Sequence, residues 1–254
     1  FRSAVECNGA GDGISAALFA ACERAGIPVH YETRAQALVE DSTGVRGVRA
    51  RRGRQDIAYA GKAIVLACGG FEADAAMRAR YLGPFWDLAR VRGTRFNTGD
   101  GLRMALDIGA MSRGHWSGCH AASWDFNAPE QNDLAHGTVF KRDDFLNGVV
   151  INAKGERFFD EGADVRALTY ARFGRAILAQ PGQISWQIYD AKGAKQLHGE
   201  YRIREAAHFK ADTLDALFAQ LDGLDRDAAA RTIAGFNAAV RTDVPYDPGR
   251  KDGR

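Results

Sequence analysis

The feature that most constrains this chain is the run Ile64-Val65-Leu66-Ala67-Cys68-Gly69-Gly70-Phe71, apolar throughout and ending on paired glycines. A run that short, without polar alternation, predicts a strand buried on both faces, the kind found inside a layered α/β sheet. Without a Cβ, Gly69 and Gly70 let the backbone turn sharply and let a flat ligand lie against its amides, at the carboxyl end of a strand where such sheets bind ligands. The plainer alternative is a core strand followed by an ordinary turn. Thr98-Gly99-Asp100-Gly101 favours the ligand reading, because it opens a helix with Leu102, Ala105 and Leu106 on one face and offers Asp100 as a polar contact.

Composition narrows the class. With 254 residues, 46% hydrophobic and 26% charged, the chain suits one large domain or two smaller ones. Its net charge of +2 is too weak to imply nucleic acid or a membrane surface. No apolar run approaches the roughly twenty residues of a membrane helix. Cys7, Cys22, Cys68 and Cys119 form no C-x-x-C pair and no metal-binding spacing, so reduced thiols and a cytoplasmic location are expected, with no metal. The chain begins at Phe1 and ends in the polar stretch 245–254, which reads as a piece of a longer protein rather than a complete domain with a loose tail.

Gly9-Ala10-Gly11-Asp12-Gly13, followed about twenty residues later by Glu32, imitates a dinucleotide fingerprint. The imitation fails where the third glycine belongs, since that position is Ile14. The segment reads instead as a helix from Gly13 to Ala25, with Ile14, Leu18, Ala21, Cys22 and Ala25 on one face and Gly26 as its stop. A strand over 28–31 is expected next. Short runs around Gly44, Gly47 and Gly53 predict an antiparallel meander of strands over 37–40, 45–51 and 56–59. A helix over 73–81 precedes Arg90, Arg92 and Arg95, which read as solvent-facing.

Several of these motifs occur together in one order. Ala63 to Gly70, then Thr98-Gly99-Asp100-Gly101-Leu102, Gly114-His115-Trp116-Ser117-Gly118-Cys119-His120 and Arg157-Phe158-Phe159-Asp160-Glu161-Gly162 resemble the fumarate reductase and succinate dehydrogenase flavoprotein family, and within it the tricarballylate dehydrogenases. The likeness runs to Val240. It implies an α/β fold: part of an FAD-binding Rossmann-like domain of glutathione-reductase type over 1–114, and an inserted α+β capping domain over 115–254. It also places the family's phosphate-binding fingerprint upstream of residue 1.

The resemblance implies cofactor contacts at Ala35, Ala67, Cys68, Gly69, Gly70, Thr98 and Asp100. The family's substrate-binding histidine falls at His120, although Ala121-Ala122 follows it where Pro-Thr is usual; His115 is the reserve. Where fumarate reductases carry Thr-Glu-x-x-Arg, this chain has Lys141-Arg142-Asp143-Asp144-Phe145. That change suggests Arg142 as an extra cation for a substrate richer in carboxylates. The proton-transferring arginine of the family maps to Arg166 when counted from Glu161, and near Tyr170 and Arg172 when counted back from Ala176; Arg166 is the first choice.

The implied activity is FAD-dependent dehydrogenation of a tricarballylate-like polycarboxylate, with His120 and Arg166 as catalytic residues and a separate electron acceptor, soluble or at a membrane, that reoxidises the flavin. A fumarate reductase or an enzyme like the ketosteroid Δ1-dehydrogenases is the alternative within the class. An inert fragment or a binding module is the alternative outside it. Beyond Gln183 a strand over 184–189 is expected, then packing helices carrying Leu214, Leu217, Phe218 and Leu221, and Ile233, Phe236 and Val240 behind Asp225 as N-cap.

Overall fold

A computed structural model describes residues 8–132, 136–241 and 243. Cys7 and the terminal stretch 245–254 lie outside them. In chain order the elements are α1 (Ala10–Arg24), β1 (Thr33–Asp41), β2 (Gly44–Arg52), β3 (Gln55–Ala60), α2 (Ala75–Leu82), α3 (Asp100–Asp107), β4 (Val149–Ile151), α4 (Arg166–Leu178), β5 (Trp186–Ile188), α5 (Gly193–Gln196), α6 (Leu214–Phe218) and α7 (Arg226–Ala239). They gather into two compact units. One takes the residues up to Ala67 together with Asp100–Ala110; the other takes Cys68–Gly99 and the residues from Met111 onward.

In the first unit, α1 stops as the glycine predicts. Gly26 sits at φ 67°, its N–H bonds to Glu23 O at 3.1 Å, and the Ile27 N–H bonds to Cys22 O at 2.9 Å, which satisfies two terminal carbonyls. The apolar face of α1 is not buried among the described residues, since Ile14 and Leu18 are 51% and 62% exposed. The expected strand over 28–31 is absent. Pro28 lacks an N–H, and the chain turns at Glu32 with a left-handed φ of 51° before β1 begins.

The meander forms as expected, three antiparallel strands in the order β1-β2-β3. Its pairing steps from Ala35↔Ala50 to Ala37↔Arg49, so Gln36 is the extra residue of a β-bulge. Bulges bend a strand and re-aim side chains, and they concentrate beside binding sites. α3 packs against β1 and buries Met104, whereas Leu102, Ala105 and Leu106 are only half-buried.

The run Ile64–Phe71 departs from its expected form. It is not a strand, and Val65 is 88% exposed. An apolar run becomes a strand only when a neighbouring strand takes up its N–H and C=O groups, and among the described residues no strand pairs with it.

The second unit has two apolar clusters on opposite sides of β4. Val149 and Ile151 pack with Phe218, Leu221, Leu224, Ala229 and Ile233, while Val150 packs with Phe145 and Phe173. Alternate residues of a strand point to opposite faces, so three consecutive buried residues serve two cores. β5 pairs antiparallel to β4, and on β4's other side the Val150 N–H is taken by the Glu161 carboxylate at 2.7 Å. After the turn at Gly155 the chain returns to β4 through a single bridge, Ile151↔Arg157. Gly155 itself is indispensable in form: φ is 72°, and a Cβ there would lie 2.4 Å from the Ala229 nitrogen. α7 is capped as predicted, with the Asp225 side chain accepting from Ala228 N–H at 2.9 Å.

Buried Arg78 of α2 ties down the loop that follows. It donates to the carbonyls of Glu72 at 2.5 Å, Trp86 at 2.7 Å, Asp87 at 3.0 Å and Ala89 at 3.1 Å. Burial lowers its pKa from the usual guanidinium range.

Candidate active site

The two glycine turns meet within the second unit. Gly69 and Gly99 have φ of 73° and 74°, and the Gly99 N–H donates to Gly70 O at 3.0 Å. A Cβ on Gly69 would lie 2.7 Å from the Asn97 side chain, and one on Gly99 would lie 2.5 Å from Met77 Sδ. The left-handed backbone at both turns demands glycine. Ala67, Cys68 and Gly69 are exposed residues.

In the first unit, the bulge on β1 and the start of α3 enclose a hollow of about 240 Å³, lined by Arg34, Ala35, Gln36, Asp100, Arg103, Met104 and Asp107. Ala35 and Asp100, separated by 65 positions, thus share one concavity. Arg34 donates to both Asp100 carboxylate oxygens, at 2.8 and 3.1 Å, and Arg103 also donates to that carboxylate. The Asp100 carboxylate in turn raises the Arg34 pKa, chiefly through its hydrogen bond.

The second hollow lies in the second unit at the first turn of α4. Lys141, Asp143, Asp144, Arg166, His198, Glu200 and Tyr201 enclose about 60 Å³. Arg166 is the first residue of α4, behind a Val165 that gives no side-chain cap, and no acidic residue stands in that turn. Both choices run against helix chemistry, because the amino end favours a polar cap and a negative charge. Sequences break such rules mainly where function requires it.

Here the cation is held from outside the helix. Arg166 NH1 donates to Asp144 Oδ1 at 3.5 Å, with Asp144 only 4% exposed at its side chain and Arg166 41% exposed. Asp143 beside it is buried and, among the described residues, one of its oxygens has no hydrogen-bond partner; burial raises its carboxyl above the usual range, while Lys141, Arg166 and Arg92 oppose the shift.

One turn further along α4, Tyr170 faces the ring of His120, centroid to centroid 4.8 Å and edge-on. Arg166 and Tyr170 are four residues apart and share a helix face, so His120 stands beside the same face as Arg166. The His120 loop approaches so closely that a Cβ on Gly174 would lie 2.6 Å from the Ala121 carbonyl carbon. His115 is engaged by the Ser117 hydroxyl at 3.0 Å. Arg172 lies over the Phe159 ring at 5.4 Å.

Arg142 does not occupy the position expected of a substrate anchor. It is 7% exposed, its Nε donates to Asp125 Oδ2 at 2.8 Å, and NH1 donates to Val139 O at 2.9 Å and Lys141 O at 2.8 Å. The remaining NH2 is sealed from solvent. A guanidinium is stable in the interior only when paired, and Asp125 provides that partner. The side chain facing the hollow is its neighbour Lys141. Sequence reasoning also missed Asp144, His198 and Gly174; the only local signal was the unfavourable start of α4.

The model of the FAD binding domain family matches residues 2–252. The chain belongs to that family. Probable fumarate reductase Ifc3 of Shewanella frigidimarina is 29% identical over 195 residues, covering 75% of this chain and 30% of the relative. The 3-oxosteroid 1-dehydrogenase of Mycobacterium tuberculosis is 26% identical over 252 residues, covering 89% and 42%. Among solved structures, the open conformation of a flavocytochrome c3 fumarate reductase superposes with a TM-score of 0.66 at 26% identity, covering 90% of this chain and 38% of that one. The FAD-binding chain thus spans less than half the length of these relatives.

The mixed α/β fold is that of the family, and its cofactor is FAD. The residues present fit such a group. The bulged backbone at Ala35 and the cations Arg34 and Arg103 border a hollow large enough for one part of a dinucleotide, and guanidinium donors suit phosphate or ribose oxygens. The exposed glycine turn offers amides to a flat ring system.

Proposed function

We propose that the protein dehydrogenates a tricarballylate-like polycarboxylate, forming a carbon–carbon double bond, with FAD as its cofactor. Ala35, Ala67 and Asp100 of the first unit, and Cys68, Gly69, Gly70 and Thr98 of the second, are the residues we assign to the cofactor. When bound, the flavin supplies the hydride acceptor that no side chain can provide. A distinct acceptor then removes the electrons, and the reaction takes place in the cytoplasm. Among the described residues no helix is long and apolar enough to cross a membrane.

The chain's own residues supply orientation and charge. Arg166 and Lys141 fix carboxylates, and a fixed cation lowers the energy of negative charge that builds on the substrate as its C–H bond loses a proton. His120 binds substrate from beside the same face of α4. In the reductive direction Arg166 returns that proton. The observation that carries the reading is Arg166 itself: a cation at an uncapped helix start, tethered by one long hydrogen bond and facing a hollow with a second cation.

A second reading, dehydrogenation of a bulkier ketone, draws on Tyr170 against His120 and on the steroid-named relative. Dye-linked dehydrogenase assays of the flavin-loaded, full-length protein against succinate, tricarballylate, citrate and a 3-oxosteroid separate the two. Turnover of tricarballylate supports the first reading; turnover of the steroid alone overturns it.

A further inference from the structure

Three segments distant in sequence converge on one carboxylate. Asp144 precedes the short 3-10 turn at Phe145–Asn147, Arg166 opens α4, and His198 follows α5. The His198 backbone N–H donates to Asp144 Oδ2 at 2.6 Å, and its Nδ1 meets Oδ1, also at 2.6 Å. A carboxylate only accepts, so Nδ1 carries the proton of that bond. The Asp144 N–H donates in turn to the Tyr201 hydroxyl at 2.8 Å, which donates to Gln187 Oε1 at 3.0 Å. Tyr201 and Tyr189 are buried phenols held well above their ordinary pKa, so they remain neutral and serve only as hydrogen-bonding groups.

We propose that Asp144 and His198 are positioning residues for Arg166, an inference that rests on the reading of Arg166 as a substrate-facing cation. Oδ1 is shared unequally: His198 holds it at 2.6 Å, while Arg166 reaches it only at 3.5 Å. The imidazole takes the stronger bond and leaves the guanidinium tethered yet able to turn most of its donors toward a ligand. Without the ring, Oδ1 is released to Arg166 and the two close into a tighter ion pair, which withdraws the cation. A side chain 57% exposed gains little packing energy, so a purely structural role leaves that short bond without a purpose.

The test uses the flavin-loaded, full-length protein with H198A, H198N, D144N and R166M. Two readouts are taken: phenylglyoxal labelling of Arg166, scored by peptide mass spectrometry, and dye-linked oxidation of tricarballylate. Unchanged flavin absorbance in each variant checks folding. H198A is expected to slow Arg166 labelling about threefold and D144N to speed it about threefold, the range set by an exposed ion pair. Both lower kcat about tenfold through misplacement of the cation, and H198N, which keeps a donor in the Nδ1 position, recovers to within about threefold.

Labelling that rises in both H198A and D144N, or that changes in neither, overturns the positioning role. Full activity in R166M, with Arg166 labelling in H198A and D144N shifted as expected, overturns the reading of Arg166 as the functional cation and leaves the positioning role standing.

Discussion

Replacing Arg142 by Met separates a structural cation from a substrate anchor. Arg142 and Asp125 form an ion pair at 2.8 Å with side chains only 9% and 2% exposed. Removing one member of a buried pair leaves the other charge without its partner, at about 3–5 kcal/mol. Asp125 still accepts from the Asn127 N–H at 2.8 Å and the Ala207 N–H at 3.2 Å, so the lower end of that range applies, about 3 kcal/mol. At about 2–4 °C of Tm per kcal/mol for a unit of this size, the melting temperature falls by roughly 6–12 °C.

The assay is calorimetry of the flavin-loaded protein carrying R142M, D125N and both. Because the two side chains are in contact, the double variant is expected to be less destabilised than the sum of the singles by about 2 kcal/mol. The relative rates on tricarboxylates and dicarboxylates stay unchanged, since Lys141 rather than Arg142 faces the hollow. A melting temperature within about 2 °C of the parent, together with a lost tricarboxylate preference, refutes the reasoning.

Three further perturbations follow from the same geometry. G155A forces a left-handed backbone on alanine and drives its Cβ against the start of α7, so urea denaturation should show a loss of about 3 kcal/mol; a loss under about 1 kcal/mol contradicts the close approach. G174A pushes on the Ala121–Ala122 backbone and displaces His120, so kcat/KM should fall about tenfold or more alongside a stability loss of about 1–3 kcal/mol; equal activity in the folded variant removes His120 from the site.

For Asp143 the sign is worked from its raised carboxyl pKa. The folded state holds the proton more tightly than the unfolded state, whose value is near 3.8, so stability is fullest below that value and declines as pH rises through the folded one. D143N should abolish this decline and raise the urea midpoint at neutral pH; an unchanged slope between acid and neutral pH rejects it.

Local chemistry made a good part of the molecule legible. Glycines at 26, 44 and 53 announced the end of α1 and the turns of the meander, since left-handed backbone is cheap only there. The spacing of Asp225 from its apolar successors announced α7. Gly69-Gly70 and Thr98-Gly99, distant in sequence, are joined by the Gly99 N–H to Gly70 O hydrogen bond. Ala35, placed at the cofactor by resemblance, and Asp100, offered as a ligand contact by its own turn, line one hollow.

Other assignments had no local signal to carry them. Lys141 and Arg142 are adjacent in an irregular loop, where no period of 2 or 3.6 says which side chain turns inward; the buried carboxylate of Asp125 decides it, 17 positions away. The run Ile64–Phe71 has a strand's composition, yet a strand also requires lateral partners, and composition does not supply them. Asp144, Arg166 and His198 are each unremarkable in sequence. Turns, caps and periodicity are set by the φ/ψ preferences of neighbouring residues and so are written in the chain itself, whereas a shared carboxylate or a Cβ-sized gap exists only once packing has brought distant segments within about 3 Å of each other.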